Sequence, residues 1–119
     1  MQKKEETKIP EILSKFLKTK KVVIFSLSSC AYCMKASQLL NNLNVKPEII
    51  YIDRVSSLKN NKDFKVILDK HSDLSTFPKI YFGSNCVGGY SDLYDLFTQN
   101  KLFEFLKKEN IDFIEEDYY

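Results

Sequence analysis

Three cysteines and a single histidine are the whole supply of thiolate and imidazole ligands in this chain of 119 residues. Two of the cysteines stand together, whereas Cys86 and His71 lie far from them in sequence. A closed structural zinc site wants four ligands at paired spacings, so this inventory argues against one. Excess charge is scarce too: the formal balance is +2 and the lysines are dispersed, without the basic footprint of a nucleic-acid binder. No apolar run approaches the roughly 20 residues of a membrane span. Met1 to Glu6 lead into no apolar stretch of the secretory kind. Repeats, linkers and low-complexity blocks are missing. What remains is 44% hydrophobic and 29% charged, ordinary for a globular protein. The expectation is one domain over residues 1–119, cytoplasmic and monomeric, with no membrane or nucleic-acid partner.

A reducing cytoplasm disfavours structural disulfides, so closely spaced cysteines there point to catalysis or metal binding. Ser29-Cys30-Ala31-Tyr32-Cys33 is such a pair, and its surroundings decide its use. Ile9, Ile12, Leu13, Phe16 and Leu17 recur at helical spacing, predicting an amphipathic first helix closed by Lys18 to Lys21. Val22-Val23-Ile24-Phe25 has the continuous apolar character of a central strand buried on both faces. After Ser29 the period becomes helical again, with Cys33, Ala36, Leu40 and Leu43 on one stripe. Cys30 precedes the first turn and Cys33 lies on the stripe facing the core. Cys30 is therefore expected to be the accessible thiol and Cys33 the sheltered one.

Glu48 to Ile52 reads as a second buried strand, parallel to the first through a β-α-β connection. Asp53, Ser56 and Ser57 are expected to open a third helix carrying Phe64, Ile67, Leu68 and His71. His71 reads as a capping or partly buried side chain rather than a ligand or base. Thr76-Phe77-Pro78 precedes a strand at Lys79 to Phe82, and Gly83-Ser84-Asn85 turns it into Cys86-Val87 as a hairpin. Local sequence alone favours a trans strand-starting Pro78. Cys86 reads as a buried structural thiol. Gly88-Gly89-Tyr90-Ser91-Asp92 opens a helix through Leu93, Leu96 and Phe97, with Ser91 or Asp92 as cap. That corner is either anion-receptive or a plain turn. Leu102, Phe105 and Leu106 mark a last helix, Ile111, Phe113 and Ile114 can pack back on the core, and Glu115 to Tyr119 form an acidic, solvated tail.

This order, with Cys-x-x-Cys at the first β-α junction, resembles the thioredoxin superfamily. Cys30-Ala31-Tyr32-Cys33, Thr76-Phe77-Pro78 and Gly88-Gly89-Tyr90-Ser91-Asp92 together resemble the dithiol glutaredoxins, over about residues 8–109. The resemblance implies an α/β, thioredoxin-like fold, a central four-stranded mixed sheet flanked by helices. It implies a glutathione-dependent thiol-disulfide oxidoreductase, with glutathione as reductant and disulfide-bonded or glutathionylated proteins as partners. Cys30 would be the nucleophile and Cys33 the resolving thiol, with no resident metal. Pro78 would be cis, Phe77 would pair with the cysteinyl part of glutathione, and Tyr32 would flank its glycyl arm. Gly89, Ser91 and Asp92 would hold the γ-glutamyl end, and Thr76 and Tyr90 complete the expected contacts.

Three positions depart from the family pattern. Leu27 stands where a lysine usually binds the glycyl carboxylate, and Ser75 where Arg or Gln is usual; Lys79 and Lys35 are the candidate replacements by position. Ala31 replaces a proline, which opens one alternative, a dimer sharing a [2Fe-2S] cluster through Cys30 and glutathione. Leu27 and Ser75 open another, a thioredoxin-like partner of a flavoprotein reductase, using glutathione weakly.

Overall fold

The computed structural model describes residues 9–114; the expected acidic tail lies outside them. The elements are α1 (Glu11–Leu17), β1 (Val22–Ser26), α2 (Ala31–Asn42), β2 (Glu48–Tyr51), α3 (Lys62–Ser72), β3 (Lys79–Phe82), β4 (Asn85–Gly88), α4 (Tyr90–Thr98) and α5 (Leu102–Lys108). One sheet of four strands runs in the order β2-β1-β3-β4. The β1–β2 pair is parallel, and β3 is antiparallel to both β1 and β4. This is the mixed sheet that the resemblance implies.

Side-chain alternation along the two central strands builds a core on each face of the sheet. Val22, Ile24, Ile80 and Phe82 point to one side, where Ala36 and Leu40 of α2, Leu93 of α4 and Leu102 and Leu106 of α5 cover them. Val23, Phe25 and Tyr81 point to the other, beneath Leu13 and Leu17 of α1 and Phe64 and Leu68 of α3. All five residues of β1 are buried, as a strand covered on both faces must be. Each fully buried large apolar side chain contributes about 1.5–3 kcal/mol, so this sandwich fixes where the ends of β1 and β3 emerge.

Two expectations need correction. β2 is an edge strand in which only Ile50 is buried while Glu48 and Tyr51 are exposed; its outer rim has no neighbour to cover it. The third helix does not begin near Asp53. Successive turns occupy residues 52–60, Leu58 among them being buried in the second core. α3 starts only at Lys62, where the Asn61 side chain accepts the Phe64 N–H at 3.0 Å. At the other end of the chain Ile111 is buried and Phe113 stacks on Phe103, centroids 5.1 Å apart. The Ile114 N–H donates to the Leu43 carbonyl at 2.8 Å, although the Ile114 side chain is exposed.

Candidate active site

β1 ends at Ser26, and the chain turns through Leu27, Ser28 and Ser29 before α2. Cys30 is the N-cap of that helix, in extended conformation, and the Cys33 N–H donates to its sulfur at 3.2 Å. The cap that usually falls to a serine or aspartate oxygen is here a sulfur, and it takes up one of the unpaired amides of the first turn, that of Cys33. Cys30 and Cys33 form a disulfide with Cα atoms 5.2 Å apart. Cys33 is 5% exposed while Cys30 is only partly covered, the division that helical phase predicts.

The expected substrate contacts meet in a groove of about 450 Å³, which Cys30 does not line but adjoins through Phe77. Tyr32 comes from α2, Thr76, Phe77 and Pro78 from the segment before β3, and Gly89, Tyr90, Ser91 and Asp92 from the start of α4. Leu74 completes the lining. The Phe77–Pro78 peptide bond is cis, as the resemblance implies and against the local reading of the sequence. The Phe77 carbonyl oxygen lies 3.9 Å from Cys30 Sγ. Tyr32 stacks on Tyr90 at 5.9 Å, and Tyr90 packs beside Tyr94 at 5.9 Å, so one wall of the groove is an aromatic ladder.

The Gly-Gly corner is built differently from the expected cap. The N-cap of α4 is Gly89, not Ser91 or Asp92. Asp92 sits one turn in, and its Oδ2 accepts the Gly89 N–H at 2.8 Å. Gly88 has φ +122°, and a Cβ there would collide with the Asp92 carboxylate. A glycine is required for both reasons.

Of the two candidate cations, Lys79 is not available to a ligand. Its side chain is fully buried, donating to the Leu74 carbonyl at 2.6 Å, pairing with Asp69 Oδ1 at 3.0 Å and lying 4.8 Å from the centre of the Phe77 ring. A lysine one position after the proline of a strand buried on both faces has to find its partners inside. Lys35 is exposed, with its ammonium 5.3 Å from the centre of the Tyr32 ring. Asp69 also pairs with Lys65 at 2.6 Å. Burial works against the charge on Asp69, but the two lysines hold its carboxyl below the ordinary value.

The residue that sequence reasoning missed is Asp53. Its carboxylate accepts the Ser28 N–H at 3.0 Å and the Ser28 hydroxyl at 2.6 Å. Chiefly through that hydroxyl, its carboxyl is held below the ordinary range. The only sequence signal was an acid directly after a strand parallel to β1, where it faces the loop that leaves β1.

His71 and Cys86 stand behind the site. His71 Nδ1 lies 2.8 Å from the Tyr81 hydroxyl, and burial pulls its pKa down; it is the partly buried side chain expected, bonded to a tyrosine. Burial, with a smaller contribution from neighbouring Cys86, pushes the Tyr81 hydroxyl well above its ordinary value. Cys86 is a free thiol, half-buried rather than fully enclosed, and burial raises its pKa.

Comparison with known proteins agrees with this geometry. The glutaredoxin family model matches residues 22–87. Glutaredoxin 1 of Rickettsia prowazekii is 33% identical over 88 residues, covering 74% of this chain and 88% of that protein. Human glutaredoxin-1 is 28% identical over 88 residues, covering 74% and 83%. Among solved structures, the dithiolic glutaredoxin of Trypanosoma brucei brucei superposes with a TM-score of 0.69 at 31% identity, covering 82% of this chain and 97% of that one. A buckwheat glutaredoxin–glutathione complex superposes with a TM-score of 0.76 at 20% identity, covering 88% and 91%. With a family match across more than half its length, and two residues between its paired cysteines, the chain belongs to the glutaredoxin family of thiol-disulfide oxidoreductases, in its dithiol type.

Proposed function

We propose that this chain reduces protein disulfides and glutathione mixed disulfides at the expense of glutathione, with Cys30 as nucleophile and Cys33 as resolving thiol. The observation that carries this is the position of Cys30, a helix N-cap whose sulfur lies 3.9 Å from the carbonyl of Phe77, a residue that lines the groove together with Pro78 and the Gly89–Asp92 corner. In the reduced protein the Cys33 N–H and the dipole of α2 favour the Cys30 thiolate, the reactive species. That thiolate attacks the glutathionyl sulfur of a mixed disulfide, a Cys30–glutathione bond forms, and the protein thiolate leaves. A second glutathione thiolate then attacks the glutathionyl sulfur, releasing glutathione disulfide and returning Cys30 as thiolate. With a protein disulfide, Cys30 becomes bonded to the substrate and the Cys33 thiolate displaces it, leaving the Cys30–Cys33 disulfide.

Phe77 offers its backbone to the cysteinyl portion of glutathione. The first amides of α4 suit the γ-glutamyl carboxylate and the exposed Asp92 carboxylate suits the neighbouring ammonium group. Tyr32, Thr76, Pro78, Gly89, Tyr90 and Ser91 shape the remainder of the groove. The buckwheat relative is described as a complex with glutathione, which supports the same ligand here. A cytoplasmic, monomeric working state belongs to the same proposal.

The cluster-bearing alternative is not favoured. Among the described residues no group of three or more His, Cys, Asp or Glu side chains is placed to hold a metal, so a [2Fe-2S] group would depend on a second copy and on glutathione. The test is turnover of a glutathionylated peptide with glutathione and its reductase. Activity well above a Cys30→Ser control is expected, and activity no higher than that control refutes the reading. Cys33→Ser is expected to keep turnover of the glutathionylated peptide and to lose reduction of a protein disulfide. Replacing glutathione by a flavoprotein-driven thioredoxin system separates the remaining alternative, which predicts faster reduction by that system.

A further inference from the structure

Cys30 and Cys33 both border a second cavity, of about 270 Å³, which shares no residue with the groove of Phe77 and the Gly89–Asp92 corner. It lies between α2 and β2. Leu27, Met34, Ile49 and Tyr51 give it apolar walls, and Ser37 and Gln38 of α2 add uncharged polar groups. Met34 is 62% exposed and Tyr51 38%, so two large apolar side chains next to the reactive disulfide are left to solvent. No charged side chain lines the cavity. The Asp53 carboxylate that adjoins it through Ser28 is already engaged by the N–H and hydroxyl of that residue. Leu27, which removes a cation from the usual glutathione contacts, is here an apolar wall. β2 is the outer strand of the sheet, and among the described residues no strand occupies its free side.

We propose that this cavity selects the protein substrate: it seats an uncharged apolar side chain, of about leucine size, next to the target cysteine in an extended segment of a disulfide-bonded protein. Because Cys30 lines the cavity, a chain whose cysteine becomes bonded to Cys30 carries its neighbouring residues across the opening. Glutathione is the poorer occupant. Its two carboxylates and its ammonium group would leave water and meet no opposite charge there, whereas a leucine side chain gains by burial against Leu27, Met34 and Ile49. The two cavities then divide the substrates, the tripeptide in one and a protein side chain in the other, with the Cys30 sulfur serving both. The assignment rests on Cys30 as nucleophile and Cys33 as resolving thiol, as proposed above, and is independent of which reductant restores them.

The experiment mixes the pre-reduced full chain, with no other reductant, with symmetric disulfide-linked dimers of a short neutral peptide whose cysteine is flanked by Leu, Asp or Lys, and separately with oxidised glutathione. In each reaction the Cys30 thiolate attacks one sulfur, half of the disulfide leaves as a thiol, and the Cys33 thiolate expels the other half as the Cys30–Cys33 disulfide forms. Each rate constant is divided by that of the same disulfide with dithiothreitol, which removes intrinsic reactivity. The leucine dimer is expected to exceed the two charged dimers by roughly tenfold, the worth of partly burying one leucine side chain. Ser37→Phe, which fills the cavity, should abolish that preference and leave the rate with oxidised glutathione unchanged. Gln38→Glu should move the preference toward the lysine dimer, and Gln38→Lys toward the aspartate dimer. Equal rates for the three dimers, equal slowing of oxidised glutathione and the leucine dimer by Ser37→Phe, or charged dimers indifferent to both Gln38 variants overturns the assignment. Failure of all four disulfides to oxidise the chain overturns the reading of Cys30 and Cys33 on which it rests.

Discussion

Asp53 and Ser28 join the end of β2 to the loop that delivers Cys30, through the Ser28 N–H at 3.0 Å and its hydroxyl at 2.6 Å. The two residues are 25 apart in sequence, so the nucleophile loop is held by a neighbouring strand as well as by its own helix. Asp53→Asn and Ser28→Ala are each expected to lower kcat/KM severalfold while the fold persists. The depressed carboxyl pKa fixes the sign of the pH effect. The clasp is fully present above the ordinary carboxyl value of 3.8 and is lost as pH falls through the lower folded value. Thermal unfolding of wild type and Asp53→Asn should therefore differ at neutral pH and converge in strong acid.

Gly88 is predicted to tolerate no side chain. With φ +122° and the Asp92 carboxylate filling the space of a Cβ, Gly88→Ala should cost about 1–3 kcal/mol. It should also push Asp92 off the Gly89 N–H. Urea unfolding measures the first effect, and a raised KM for glutathione measures the second.

Removing the counter-ion of a buried lysine is costly because the charge is left without a partner. Asp69→Asn is expected to destabilise the protein by about 3 kcal/mol, and Lys65→Gln by less than about 1 kcal/mol, since Lys79 is buried and Lys65 is not. Chemical denaturation of the two variants checks the order, which would reverse if Lys65 were the group Asp69 mainly serves.

His71 supplies a second pH dependence in the opposite chemical sense to Lys or Arg pairing. Burial lowers its folded pKa beneath 6.5, so the unfolded chain takes up its proton first. Stability is expected to fall as pH drops below 6.5 and to level off once the folded pKa is passed. His71→Phe should flatten that part of the profile in thermal melts between pH 7 and pH 5, at the expense of the bond to the Tyr81 hydroxyl.

Much of this was legible beforehand because it rests on periodicity. The stripes of α1 and α2, the apolar run of β1 and the phase that separates Cys30 from Cys33 follow from local spacing, and the groove residues follow from three family motifs. What escaped depended on distant partners. Asp53 looked like a helix start because an acid after a strand commonly caps one, but Asn61 took that role and Asp53 turned to Ser28. Lys79 looked free because sequence does not show that β3 is covered on both faces. The β2 segment looked fully buried because composition does not reveal which strand lies at an edge.

The difference in cover between the two sulfurs gives the resting disulfide a direction. A thiolate must reach one sulfur in line with the bond it breaks, and Cys33, 5% exposed, offers no such approach. Reduction of the Cys30–Cys33 bond therefore begins with capture of the incoming thiol on Cys30 and expulsion of Cys33 inward. Regiochemistry in this protein is set by packing on the α2 face, before any difference in thiol acidity comes into play.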